Sequence, residues 1–233
     1  MAEAPAAGLA LARLLQLASP ALPVGAYTYS QGLEWAVEAG RVRDEASALV
    51  WLGDALQYCV AAFEAPWLAQ LMAAWTAGDD AQVARLNELF LASRETSELR
   101  AETAQMGYSC VRLLTDLPAF SGLPGWPQRL AQLADPSFPA AWGAAAAAWQ
   151  LPPEAALTAY LWSWLENQVM AAIKAVPLGQ AAGQRIAARL AERLPDLVAG
   201  ALAAGEQDCS NYAPGFALAS CRHETQYSRL FRS

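Results

Sequence analysis

An all-α fold of one domain is the expectation, on three observations. Apolar residues recur at three- and four-residue spacing along almost the whole chain, and no segment alternates with period two between hairpin turns. Glycine and proline also fall where helices of ordinary length would end. At 233 residues, the chain can bury a sizeable core without disulfides or metals. The expected architecture is a bundle of about nine to ten helices over residues 1–204, followed by a flexible tail over 205–233.

The elements follow in order. A first helix, Ala7–Leu17, is expected to end before Ser19-Pro20-Ala21-Leu22-Pro23-Val24-Gly25, where two prolines and a glycine dictate an ordered loop. Ser30 is placed to cap the next helix, which stops at Gly40, and Asp44 caps a third with Leu49, Leu52, Leu56 and Phe63 facing inward. Pro66 removes a backbone donor, so a new helix is expected over Pro66–Ala77. Gly78-Asp79-Asp80 reads as a turn with a cap. The helix after it should run through Val83, Leu86, Phe90, Leu99, Met106 and Cys110 to Leu113, with a charged middle over Arg94–Glu102. Between Leu117 and Pro139, five prolines and two glycines suit a surface excursion, weakly helical near Gln128–Ala134. Trp142–Trp149 and Glu154–Lys174 are expected as helices, the second with a broad apolar stripe through Leu157, Tyr160, Leu161, Trp164, Leu165 and Val169. Helices over Gly179–Leu194 and Asp196–Ala204 complete the bundle.

Composition narrows function. Hydrophobic residues make up 55% and charged residues 16% of the chain, a thin polar surface that points to an oligomer or a complex. A net charge of −7 without basic clusters argues against nucleic acid, whose phosphates need concentrated Lys and Arg. The opening residues lack the basic start of a secretory leader, and no run reaches the roughly 18 uninterrupted apolar residues of a membrane span. A cytoplasmic protein with no membrane role is the expectation, and its four scattered cysteines should be free thiols.

Motifs for nucleotide, zinc or serine-hydrolase chemistry are missing, and His223 is the sole histidine, set in the tail. Cys221, His223 and Glu224 offer three donor types in four residues, but spacing alone makes at most a partial metal site. Glu95, Glu98 and Glu102, with Arg94 and Arg100, read either as a carboxylate cluster or as a solvated helix face; the face is preferred. The nine tryptophans are assigned to core and interface packing.

Four passages carry a resemblance. The run from Leu14 to Gly40, with Ala18-Ser-Pro-Ala-Leu-Pro-Val-Gly-Ala-Tyr-Thr-Tyr-Ser-Gln-Gly-Leu-Glu34 at its heart, resembles the N-terminal signature of the UreF family. Arg94-Glu-Thr-Ser-Glu-Leu-Arg100 resembles its RETxELR segment, and Val169-Met-Ala-Ala-Ile-Lys-Ala-Val-Pro-Leu-Gly-Gln180 its VMAxxKxVPxGQ turn. Arg222-His-Glu-Thr-Gln-Tyr-Ser-Arg-Leu-Phe-Arg-Ser233 resembles its terminus. Ala26 and Ser97 depart from residues common at those positions.

The resemblance implies an accessory protein and not an enzyme, without a cofactor. It would dimerise, bind UreD (also called UreH) and recruit the GTPase UreG to apo-urease for nickel insertion, as a GTPase activator or, the preferred reading, as a gate or scaffold. A helical metal- or small-molecule-binding enzyme is the alternative, although one histidine cannot supply the paired Glu-x-x-His motifs of a di-metal bundle. The motif residues expected to meet partners are Tyr27, Tyr29, Ser30, Gln31 and Glu34; Glu95 and Arg100; Lys174, Pro177, Gly179 and Gln180; and Arg222, His223, Glu224, Tyr227, Ser228, Arg229, Leu230 and Phe231. Tyr27 and Tyr29 are expected near the Lys174–Gln180 turn. The tail is expected to order on binding UreD, so that deleting Cys221–Ser233 would spare thermal melting.

Overall fold

The computed structural model describes residues 7–233, so the opening residues on which the leader argument rests lie outside the described residues. Among the described residues there are twelve helices and no strand. They are α1 (Ala7–Ala18), α2 (Leu33–Glu38), α3 (Glu45–Ala77), α4 (Asp80–Ala92), α5 (Ser97–Asp116), α6 (Pro118–Ser121), α7 (Trp126–Ala131), α8 (Phe138–Ala148), α9 (Pro153–Ala175), α10 (Gln180–Ala191), α11 (Leu194–Ala203) and α12 (Pro214–His223).

Local chemistry sets most of the boundaries. Asp44 caps α3 through the Ser47 amide, while the Ser47 hydroxyl accepts from the Asp44 amide, so two orphan donors are satisfied reciprocally. Gly78 ends α3 in the left-handed conformation, and Asp79 caps α4 through the Gln82 amide.

Pro66 does not start a new helix, contrary to the sequence expectation. The middle of α3, Ala55–Glu64, is π-helical, and the Ala65 amide reaches back five residues to the Val60 carbonyl. The carbonyl that a residue-66 amide would have engaged, that of Ala62, accepts instead from the Ser210 amide at 3.0 Å. The ladder passes the proline with its orphan acceptor satisfied. At 33 residues α3 is long and apolar enough to cross a bilayer by length and composition alone, yet Leu52, Leu56, Leu68 and Leu71 are fully enclosed by protein.

A second difference lies at Ser93–Thr96. The expected continuous helix is two, because Thr96 turns extended and caps α5 through the Leu99 amide. The Asn211 side chain and Arg100 hold the carbonyls of Ser93 and Leu91 at the end of α4. Thus Arg94 faces inward at a corner.

Two helices form the centre. Every residue of α8 is buried, and its Ala144, Ala145 and Ala146 let the second half of α3 and α5 pack closely on either side. A Cβ added at Gly107 of α5 would stand 1.9 Å from the Pro136 carbonyl oxygen, so only glycine permits that approach. Helix α9 carries the predicted stripe and is packed by α1, α10, α11 and α3. The segment 117–139 is less superficial than expected, because α6 and α7 insert Phe120 and Leu130 into the core.

The C-terminal segment also differs from expectation: it is docked. Its residues form α12, which packs on α2, and Ala219, His223, Phe231 and Ser233 are buried. Its weak apolar period reflects attachment through polar contacts.

Candidate functional site

The N-terminal, Arg94–Arg100 and C-terminal motifs meet at one place, around the last residues of the chain. Gln31 and Gly32 both adopt positive φ, 51° and 81°. This sharp turn delivers the Ser30 and Gln31 amides to the Ser233 carbonyl oxygen at 2.6 and 3.0 Å. The Ser30 hydroxyl donates to the same oxygen at 2.6 Å. A Cβ at Gly32 would lie 3.0 Å from the Ser220 amide nitrogen, so glycine is required by closeness as well as by φ.

Three carboxylates hold the end of the chain. Glu34 accepts from the amides of Leu230 (2.6 Å) and Phe231 (2.9 Å). Glu98 accepts from Arg229 at 2.7 Å and lies 2.7 Å from His223 Nδ1; the other ring nitrogen, Nε2, is 3.3 Å from Glu34. Glu224 accepts from the Ser97 hydroxyl (2.6 Å) and the Glu98 amide (3.2 Å) at the start of α5. Those donors, the Ser97 hydroxyl first, pull its carboxyl below the ordinary value.

Beneath this clasp lies a second, deeper polar set. Glu64 of α3 pairs with Arg94 at 2.8 Å and accepts from the Tyr160 hydroxyl at 2.8 Å. The Arg94 side chain is 7% exposed and packs over Phe63 and Phe90. Glu102 is 7% exposed and accepts from Gln31 Nε2 (2.7 Å) and the Ser233 hydroxyl (2.9 Å). Gln31 links the two levels, since its side-chain oxygen accepts from the Trp164 indole at 2.8 Å. Burial raises the Glu102 carboxyl to about 7 and the Tyr160 hydroxyl well above its usual range. A recess lined by Leu22, Val24, Met106 and Phe138 opens onto this set.

Arg94–Glu102 is therefore no solvated face; it sits at a corner buried by α3, α9 and the tail. Of its charged residues only Glu95 and Arg100 are exposed, and Arg100 donates to the Leu91 carbonyl at 2.6 Å. Cys221, His223 and Glu224 are not gathered: Cys221 is exposed, His223 is enclosed and Glu224 caps a helix. Among the described residues no three His, Cys, Asp or Glu side chains are grouped as metal ligands. Burial pushes the Cys59 and Cys110 thiols to about 12, far from a nucleophilic thiolate.

The remaining motif forms a separate surface. The Lys174 ammonium lies 6.0 Å from the centre of the Tyr27 ring. Tyr27 is 59% exposed, and Pro177, Gly179 and Gln180 are exposed beside it, with Val176 buried below. Tyr29 does not share this surface. It is buried, with its hydroxyl near Arg232, and burial raises its pKa.

Of the residues expected to meet partners, Ser30, Gln31, Glu34, His223 and Phe231 are engaged within the chain. Glu224 and Arg229 also contact α5, while Arg222, Tyr227, Ser228 and Leu230 form an exposed rim. Glu64, Tyr160 and Trp164 were missed as site residues by sequence reasoning. Glu64 carries a readable signal: a lone carboxylate inside Cys59-Val-Ala-Ala-Phe-Glu-Ala-Pro-Trp67 is costly unless paired.

Such a site defines a helical protein whose ionisable groups fasten its own chain and leave two outward surfaces, rather than one that aligns a nucleophile with a base. The UreF family model matches residues 42–191. A protein of Azoarcus sp. (strain BH72) named urease accessory protein UreF is 68% identical, with 100% of both chains covered. One of the same name from Dechloromonas aromatica (strain RCB) is 60% identical over 97% of this chain and 98% of its own. A bifunctional urease accessory protein UreEF of Bordetella bronchiseptica is 52% identical over 96% of this chain and 52% of its own. The chain belongs to the UreF family, a family of accessory proteins and not of enzymes.

Proposed function

We propose that this chain acts in urease maturation as a scaffold that binds UreD (UreH), recruits the GTPase UreG to apo-urease and gates its GTP-dependent delivery of nickel, the cargo. The reading rests on full-length similarity to urease accessory proteins. It is supported by one structural observation above all: the motif residues that could do chemistry are engaged internally, while two motif surfaces face outward. A gate needs only a shaped surface and differential binding.

The rim of Arg222, Tyr227, Ser228 and Leu230, with Leu218 nearby in sequence, combines exposed apolar and polar groups and suits the UreD contact. The Tyr27–Lys174–Gln180 surface, with the chain's single lysine, suits an acidic patch on UreG. Exposed Leu9, Leu11 and Leu15 on α1 and Tyr108 on α5 suit a homodimer. The UreEF relative joins two accessory names in one chain, which supports work beside other accessory proteins; the cytoplasm is the location proposed for that work.

Lys174 offers the direct test. Replacing it with alanine is expected to weaken capture of UreG by the preformed UreD complex by about tenfold while leaving thermal melting unchanged. Lys174→Arg should retain part of the binding, because the charge persists while its geometry changes. Undiminished capture by Lys174→Ala, or equal loss of capture and melting temperature, would return Lys174 to a helix-end charge that complements the α9 dipole.

A further inference from the structure

We propose that the recess beside the Ser19–Val24 loop is a socket for a lysine side chain of the partner that docks on the adjoining Tyr27–Lys174 surface, its stem against the apolar walls and its ammonium on Glu102. Which protein brings that lysine rests on the maturation role proposed above; the chemistry of the socket does not.

Charge selects the head of the guest. Two carboxylates, Glu64 and Glu102, and one cation, Arg94, line the recess, with the Tyr160 hydroxyl kept neutral by burial. Arg94 is committed to Glu64 at 2.8 Å. Glu102 has no paired cation: its two contacts, from the Gln31 amide at 2.7 Å and the Ser233 hydroxyl at 2.9 Å, come from neutral donors. The recess therefore holds one carboxylate in excess. Both donors favour its ionised form, and each of its oxygens keeps a lone pair for a further donor. Holding that charge in a largely buried place is costly, which is why burial raises the carboxyl to about 7. An incoming ammonium relieves the cost through a charge-assisted hydrogen bond, whereas an anion adds to it.

The walls select the stem. Leu22, Val24, Met106 and Phe138 offer apolar surface above the carboxylate. The free volume is about 50 Å³, room for roughly four water molecules and close to the four methylenes and ammonium of lysine. A guanidinium on its stem is larger and fits less well.

The position of the recess indicates the source. Half-buried Ala26 and Asn167 belong to its lining. Ala26 directly precedes Tyr27, and Asn167 lies two helical turns before Lys174 on the same face of α9. The recess thus opens beside the Tyr27–Lys174 surface, and a protein seated there has side chains within reach of it. Lys174 stands roughly 10 Å along the helix from Asn167, far enough for salt to screen its charge from the guest.

Methionine methyl NMR of the full chain tests the socket, because Met106 lines it and the chain holds only four methionines. The probes are n-butylammonium and Nα-acetyl-lysine N-methylamide, with n-butanol and butanoate as controls of the same stem length. They are compared at constant ionic strength and about pH 8, where alkylammonium stays charged and Glu102, at about 7, is ionised. Both ammonium probes should shift the Met106 resonance saturably, leave Met72 and Met170 unmoved, and bind about tenfold more tightly than the alcohol. Glu102→Gln should erase that tenfold preference and leave alcohol binding unchanged.

Equal binding of the alcohol, tighter binding of butanoate, or no shift at all overturns the socket. So does an undiminished preference in Glu102→Gln. A shift with n-butylammonium but none with the lysine derivative overturns the partner side chain and assigns the recess to a free small amine. Should the variant not fold, the ranking of the four probes on the unaltered chain decides. UreG takes no part in this measurement, so failure of the socket is told apart from failure of GTPase recruitment, which the Lys174→Ala capture reads.

Discussion

Arg94 shows how far a single residue's environment departs from its local sequence. Its neighbours Glu95, Glu98 and Arg100 read as a charged helix face, but a break at Ser93–Thr96 turns it under α3, where it meets Glu64. No local periodicity encodes that pairing, because the partners are thirty residues apart and the turn between α4 and α5 depends on Asn211 from the far end of the chain. Removing one partner of a buried pair leaves the other charge uncompensated. Arg94→Met is therefore expected to lower unfolding free energy by about 3 kcal/mol, as read by urea denaturation at neutral pH. A loss below about 1 kcal/mol would mean that Glu64 is adequately served by the Tyr160 hydroxyl alone. The tyrosines teach the same lesson. Tyr27 and Tyr29 share one motif, yet one is exposed beside Lys174 and the other is buried against the tail, a division set by the short 3-10 turn Ala26–Thr28, which holds Tyr27 and gives way to extended backbone at Tyr29.

At the scale of elements, helices whose signals are local were legible. Asp44, Asp79 and Gly78 mark ends by their own chemistry, and α9 carries its stripe in the expected register. Elements that depend on distant contacts were not. Pro66 is absorbed into α3 because Ser210 takes up the free carbonyl, and the terminal segment docks through hydrogen bonds that leave no apolar period to read. The docked end changes what its removal should do. Deleting residues 224–233 strips Glu34 of two amide donors, Glu98 of Arg229 and Glu102 of Ser233, and uncovers the hydrophobic contact of Phe231. The truncated chain is expected to be destabilised by about 2 kcal/mol or more, read by thermal melting against the full chain, rather than to melt unchanged. An unchanged melt would show that the end of the chain contributes nothing to the fold.

For the molecule as a whole, the all-helical class followed from periodicity and composition, and the family from long motifs. The candidate site was legible only in part: the motif residues were identifiable, but not that three of the four motifs converge on one another while the fourth forms an outward surface with Tyr27. That arrangement follows from the fold, which brings residues about two hundred positions apart into contact, as for Ser30 and Ser233. The central claim is that this surface serves binding and not catalysis. It is tested most directly by co-purifying the tagged chain with UreD and then challenging the pair with UreG and GTP. A stable pair with UreD, capture of UreG by the pair but not by either partner alone, and weaker capture with Lys174→Ala are the expected results. Full activation of apo-urease by UreD and UreG without this chain, or an unaltered chain that binds neither protein, would contradict it.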